Sequence, residues 1–318
     1  MRILPLALFT TLLAAQQTAP GARAERPNLS AAETPLAPVV RAHVEQAIRT
    51  RDYLQAEQIL VQEIDRNPGS PQLLTLAAGV FFLDGKYLNT AIAMKKAEAI
   101  APLDDQSRFT LAMSYVVMDH RDWARPELEK LSQKTPDNPL YLYWLARLDF
   151  DAQGYAAAIE KLERVIAIDP HYMKAYDNLG LCYEAAGRLD DAVKTYQRAV
   201  DLNRQAKPVS PWPSLNLGSL LVKLEQFDNA EKYLRDSLLV DPKFAQAHYV
   251  LGTLLEKRHR DEDAIQELEQ AAALDAAYAQ PHYALGRIYR RAGNLTKAAA
   301  ELNQFEKLRE SKPEKRLR

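Results

Sequence analysis

An all-α protein of stacked helical hairpins is what the amino-acid sequence predicts, and three observations predict it. The first is a period. Pro68, Pro102, Pro136 and Pro170 are evenly spaced; the next slot holds Arg204, and after a short insertion the phase resumes at Pro242 and Ala276. The second is a row of small residues twelve positions ahead of these: Ala56, Thr90, Ala124, Ala158, Ala192, Ala230 and Ala264, continued by Ala298. The third is the helical spacing of apolar residues within each half-period. A repeat of this length is one supersecondary unit, so the period is read before any site. Eleven glycines in 318 residues are few for an all-β chain with many tight turns.

Taken in order, the chain begins with Arg2 and an unbroken run from Ile3 to Ala15 that carries no charge, followed by Ala22-Arg23-Ala24 before Glu25. A short positive end, an apolar stretch and small residues at a cleavage point predict an export signal over residues 1–24. The run is shorter than the roughly 20 residues a bilayer span takes, so the mature chain is expected to have no membrane-spanning helix; an uncleaved anchor is the alternative reading. The expected location is periplasmic or secreted. With one cysteine, Cys182, no intramolecular disulfide forms in an oxidising compartment. Residues 25–36 read as a linker, 37–310 as an array of about eight units, and 311–318 as a charged tail. A formal net charge of −1 supplies no basic field for nucleic acid.

Within the array, each unit reads as two amphipathic helices around a turn. The fifth carries Leu179-Gly180, Tyr183, Gly187, Ala192, Tyr196 and Ala199; Leu217-Gly218, Leu251-Gly252 and Leu285-Gly286 repeat its first pair. Earlier units put His43-Val44, Ala77-Ala78, Leu111-Ala112 and Leu145-Ala146 in that place. This combined spacing resembles the tetratricopeptide repeat over residues 37–310. The resemblance implies a right-handed α-solenoid of stacked antiparallel helix pairs, whose first helices line a concave groove for a protein or peptide. The physics agrees. Small residues let two helices approach within roughly 8–10 Å. Gly85, Gly187 and Gly293 fall in turns where a positive φ is easy. A proline after each second helix stops it. One hairpin cannot bury its own apolar face, so neighbours must stack on it.

Residue chemistry points away from catalysis. The six histidines form no metal-like cluster in sequence; His248 and His282 stand one period apart beside the Leu-Gly pair, in a slot that takes a large packing residue. Cys182 falls on the packed side of its helix, as a small hydrophobe. No phosphate loop, zinc pair or nucleophile elbow is present. Asp104-Asp105 and Asp190-Asp191 sit at helix starts, where carboxylates cap and favour the dipole. The expectation is a non-enzyme that needs no cofactor and no metal.

The expected groove is filled unevenly. Its first part carries Phe82 and Leu83, then Phe109, Met113, Val116 and Val117, then Tyr143, Trp144, Arg147 and Phe150. Three first-helix stretches, "LLTLAAGVFFL", "FTLAMSYVVM" and "YLYWLARLDF", are apolar almost all round, which marks a helix covered on every side. Later units add Trp212, Tyr249 and Tyr283, then Arg287, Arg290 and Arg291. An apolar end and a cationic end suit a partner segment with large apolar anchors and an acidic flank. Other covers for the patch are residues 25–40 folded back, or a homodimer; a register shift would make part of it core. The family's clamp for terminal carboxylates needs a lysine–asparagine set that is missing here, so that specificity is not carried over. The insertion "RQAKPVSPWP", residues 204–213, is either a lip of the groove or a longer turn. The expected function is a binding scaffold of the cell envelope; the alternative is a carrier of a small apolar ligand or lipid in the same groove.

Overall fold

A computed structural model gives the fold and describes residues 27, 29–31 and 34–311. The expected export signal lies outside the described residues, as does the tail after Ser311. The described residues contain sixteen helices and no strand. They fall into two compact units, Met1–Pro170 and His171–Arg318.

The first unit holds α1 (Pro38–Thr50), α2 (Tyr53–Arg66), α3 (Pro71–Leu83), α4 (Tyr87–Glu98), α5 (Asp105–Val117), α6 (Arg121–Lys134), α7 (Pro139–Asp151) and α8 (Tyr155–Ile168). The second holds α9 (Met173–Ala185), α10 (Leu189–Asn203), α11 (Trp212–Lys223), α12 (Phe227–Val240), α13 (Ala245–Lys257), α14 (Asp261–Leu274), α15 (Ala279–Arg291) and α16 (Leu295–Ser311). Each odd helix pairs with the next, and the pairs stack within each unit. This is the expected all-α solenoid architecture. No described helix is long and apolar enough to cross a membrane.

The helix starts are written locally. Asp52, Ser70, Asp104 and Asn138 cap α2, α3, α5 and α7 by accepting a backbone N–H, and Pro71 and Pro139 open their helices where the missing N–H costs nothing. The turns inside the pairs are uniform. One left-handed residue, with φ between 57° and 76°, sits in every one: Arg51, Gly85, Asp119, Gln153, Gly187, Glu225, His259 and Gly293. The next residue donates its N–H to the carbonyl five positions back, as in Lys86 to Phe81 at 2.8 Å and Arg260 to Leu255 at 3.0 Å. That bond satisfies an otherwise orphaned carbonyl of the helix end. Five of the eight left-handed residues are not glycine, so the turn imposes a conformation that the side chain resists.

The pairs are welded at one slot. In the second unit it holds Gly180, Gly218, Gly252 and Gly286, and a Cβ there would lie 2.5 to 2.8 Å from Tyr196, Leu234, Leu268 or Leu302 on the partner helix. In the first unit the same slot holds Val44, Ala78, Ala112 and Ala146, all fully buried. Residues expected as linker join this packing: Ala31 and Leu36 are 2% and 4% exposed, in one core with Val44, Leu60, Leu73 and Val80. Thr34 Oγ1 donates to the Ala31 carbonyl, and Arg41 Nη2 to that of Thr34 at 3.1 Å.

Gly180→Ala is expected to destabilise the protein by about 1–3 kcal/mol, because the Tyr196 ring is fully buried and cannot swing away. Gly286→Ala, which meets the more flexible Leu302, should cost less. Urea unfolding monitored by circular dichroism measures both. Equal or zero losses would show that the helices separate freely at this slot.

Candidate partner-binding surfaces

In the first unit the apolar face expected of the groove is folded down on itself. Phe109 and Tyr143 are each 2% exposed, and Met113 and Arg147 are also buried. Phe82, Leu83, Val116, Trp144 and Phe150 are half-buried. The reason is lateral packing. Mid-helix side chains of α3, α5 and α7 cover one another, as where the Phe109 and Tyr141 rings meet at 5.8 Å. Exposure survives near the C-terminal ends of these helices. There Phe82, Val116 and Phe150 recur once per repeat and form a ridge. Phe82 and Phe150 are steadied by Tyr87 and Tyr155, each with ring centres 5.5 Å away.

Beside the ridge, Trp144 meets Tyr143 edge-on at 5.7 Å, and the Arg147 guanidinium lies 5.7 Å from the indole centre. The Arg147 guanidinium also donates to the Tyr143 hydroxyl at 3.5 Å. The Trp144 Nε1 is buried without an acceptor among the described residues, a small standing cost. Asp151 closes this end. Burial pushes its carboxyl upward, against the pull of Arg121 and Arg147.

The second unit differs. Trp212 is 7% exposed and stands edge-on to Phe244 at 4.7 Å, so the insertion turns its ring into the core. The insertion is pinned at its root: Asn203 Nδ2 donates to the Ser210 carbonyl at 2.6 Å, and the Ser210 N–H returns to Asn203 Oδ1 at 2.9 Å. Tyr249 is half-buried against Tyr278, and burial raises its hydroxyl pKa. Tyr283 is 45% exposed, with Arg287 5.3 Å from its ring centre.

Glu256, which no sequence motif marks, organises the expected cationic end. It is 9% exposed, and its carboxylate accepts from Arg287 at 2.6 Å and from Arg291 at 3.5 Å. Arg291 also reaches Asp261 at 2.7 Å. Two of the three arginines are therefore held and countered, while Arg290 is exposed with no carboxylate partner among the described residues. Glu256 occupies the slot that Phe82, Val116 and Phe150 fill in the first unit, one repeat before Arg290. That register was its only signal in the sequence.

The remaining candidates are placed simply. Cys182 is fully buried. No three of His, Cys, Asp and Glu gather as metal ligands among the described residues. His248 Nδ1 lies 2.6 Å from Glu267 Oε2 and its Nε2 3.0 Å from the Pro242 carbonyl; His282 Nδ1 repeats the first contact with Glu301 at 2.7 Å.

The profile of the tetratricopeptide repeat family matches residues 109–172, 145–211, 215–280 and 262–313, well over half of the chain. The chain belongs to the tetratricopeptide repeat family. Among curated proteins it is 28% identical over 129 residues to TPR repeat-containing protein YpiA of Bacillus subtilis, covering 40% of this chain and 29% of that protein. It is also 28% identical over 97 residues to small glutamine-rich tetratricopeptide repeat-containing protein 2 of Saccharomyces cerevisiae, covering 30% of this chain and 28% of the relative. The matches thus span under a third of these relatives' length. Among solved structures, the Cut9–Hcn1 hetero-tetramer matches with a TM-score of 0.63 at 18% identity, covering 80% of this chain and 50% of that one. Yeast Tom70 gives 0.60 at 17%, covering 89% and 63%. PilW gives 0.58 at 21%, covering 64% and 92%. These structures share the fold of this chain.

One of the histidine contacts has a pH consequence. The Glu267 carboxylate, aided by the Pro242 carbonyl and Asp241, raises the His248 pKa above its ordinary value despite partial burial. Its contribution to stability is present in full below the unfolded pKa of about 6.5 and is lost as pH rises through the higher folded value. The melting temperature is expected to fall by about a degree or two on that rise, and His248→Gln should flatten the slope. An identical slope in the variant would refute the assignment.

Proposed function

We propose that this tetratricopeptide scaffold is an exported, non-catalytic protein of the cell envelope that holds a segment of a partner protein and helps to assemble a complex. The observation that carries the proposal is the ridge of Phe82, Val116 and Phe150, apolar side chains left half-exposed at the same slot of three successive first helices. In the second unit that slot holds Glu184, Val222, Glu256 and Arg290. Phe109, Met113, Tyr143 and Arg147 act as its floor, and Trp144 stands beside it. A rigid, repeated apolar strip is what an extended or helical segment with large anchors docks on. Tyr283, with Arg287 fixed by Glu256, gives the second unit a half-exposed aromatic and cationic contact at low ordering cost. Tyr249, Leu83 and Arg291 flank these positions. Export rests on Arg2, the run from Ile3 to Ala15 and the small residues before Glu25.

A photo-crosslinking amino acid placed at Phe150 or Tyr283 in the native host is expected to capture a discrete protein partner, whereas the same group at the exposed Glu160 or Lys232 is not. Equal capture from all four positions would sink the docking model. N-terminal sequencing of the accumulated protein should begin at Glu25. An intact Met1 terminus would remove the export reading while leaving the docking surface standing.

A further inference from the structure

The first helices of the second unit end on a charged row with a gap in it. Their last two residues are Glu184-Ala185 on α9, Val222-Lys223 on α11, Glu256-Lys257 on α13 and Arg290-Arg291 on α15. One rule pairs them across repeats: the acid of one first helix takes the terminal cation of the next. Glu184 accepts from Lys223, and Glu256 from Arg291 at 3.5 Å. Between these two pairs the rule fails, because the acid slot of α11 holds Val222. Lys257, the cation that a carboxylate there would meet, is exposed with no ion-pair partner among the described residues. Arg290 on α15 is a second exposed cation without one. A cation is no general requirement of these helix ends, since α3, α5 and α7 finish on Leu83, Val117 and Asp151.

We propose that Lys257 and Arg290 receive two carboxylates of an acidic segment of a partner protein, a reading that rests on the array's being a partner-holding scaffold and gives its second unit a ligand chemistry of its own. One of these carboxylates stands in for the acid missing at Val222. Spacing sets the motif. The two cations sit at the ends of successive first helices, whose axes lie about 10 Å apart. An extended chain advances about 3.3 Å per residue, so acids three positions apart in the partner reach both. Tyr283, on the same helix as Arg290 and half exposed, offers its ring to an apolar residue beside them. The fixed neighbours choose between anions. Glu184, Glu256 and Asp261 hold Lys223, Arg287 and Arg291 in place and stand beside the open cations. A nucleic-acid backbone, charged at every nucleotide, would be set against those carboxylates. A protein segment with acids set three apart leaves them room.

Isothermal titration of the protein, in the form its cell accumulates, with two synthetic peptides of about twelve residues tests this at about 50 mM salt, where exposed charges are weakly screened. One peptide carries leucines and glutamates three apart; the other has glutamine for each glutamate. The glutamate peptide is expected to bind with a Kd on the order of 100 µM, and the glutamine peptide at least about fivefold more weakly. Lys257→Gln and Arg290→Gln should each weaken the glutamate peptide about threefold and leave the glutamine peptide unchanged. Val222→Glu supplies the missing acid at a slot where Glu256 is already accommodated, the two being 7% and 9% exposed. It should match the Lys257→Gln loss, while Val222→Gln should not. If Val222→Glu folds poorly, the two variants at exposed side chains decide alone. Equal binding of the two peptides overturns the proposal. So does wild-type binding by both Lys257→Gln and Arg290→Gln, or tighter binding of a single-stranded oligonucleotide or an anionic vesicle than of the glutamate peptide. A discrete partner still captured from Phe150 when the glutamate peptide does not bind overturns this proposal and leaves the ridge standing.

Discussion

The structure depends on how closely the two helices of a hairpin approach. Where Gly180 faces Tyr196, or Gly252 faces Leu268, even a methyl group has no room. A hairpin crossed that tightly still leaves its apolar flanks uncovered, so each pair is completed only by the pairs stacked on it. The two units meet the constraint differently. The second takes glycine at the crossing and accepts its helix-weakening entropy; the first takes Val44 and then Ala78, Ala112 and Ala146, and the three alanines gain helix propensity instead. In both, the crossing fixes the rotation of every helix, and with it which slot of the repeat points to the core and which to solvent.

Once rotation is fixed, the surface becomes a set of rows, and function resides in how a row changes along the chain. The inner row that reads Phe82, Val116, Phe150 in one unit reads Glu184, Val222, Glu256, Arg290 in the other. The backbone is unchanged; the chemistry passes from apolar anchors to mostly charged side chains. Glu256 shows how the charged version is kept rigid. A nearly buried carboxylate holds Arg287 and Arg291 in place. Both guanidiniums remain nearly half exposed, so they can serve a contact without first being ordered.

Much of this was legible in the sequence because the period, the small-residue slot and the stop prolines are local and repeated. What escaped was non-local or forced. Arg51, Asp119, Gln153, Glu225 and His259 take left-handed turns that only Gly85, Gly187 and Gly293 advertise, since the turn is imposed by the backbone bond across it. The burial of Phe109 arises from side chains on neighbouring first helices, which no single helix pattern reveals, and Tyr143 and Arg147 are buried as well. Trp212 looks like a lip residue beside three prolines, but Phe244, more than thirty positions away, claims its ring. Ala31 and Leu36 sit in a Pro-rich stretch that reads as linker, yet join the first core beside Val44, Leu60 and Leu73.

The rows also decide which surfaces can act together. The ridge of Phe82, Val116 and Phe150 is carried on first helices, while Leu54, Val61, Leu88 and Ile92 are carried on second helices. A contact through one set leaves the other set's side chains uncommitted. Both sets are apolar side chains that the hairpin crossing holds out to solvent, at slots where the rest of the chain mostly places charge.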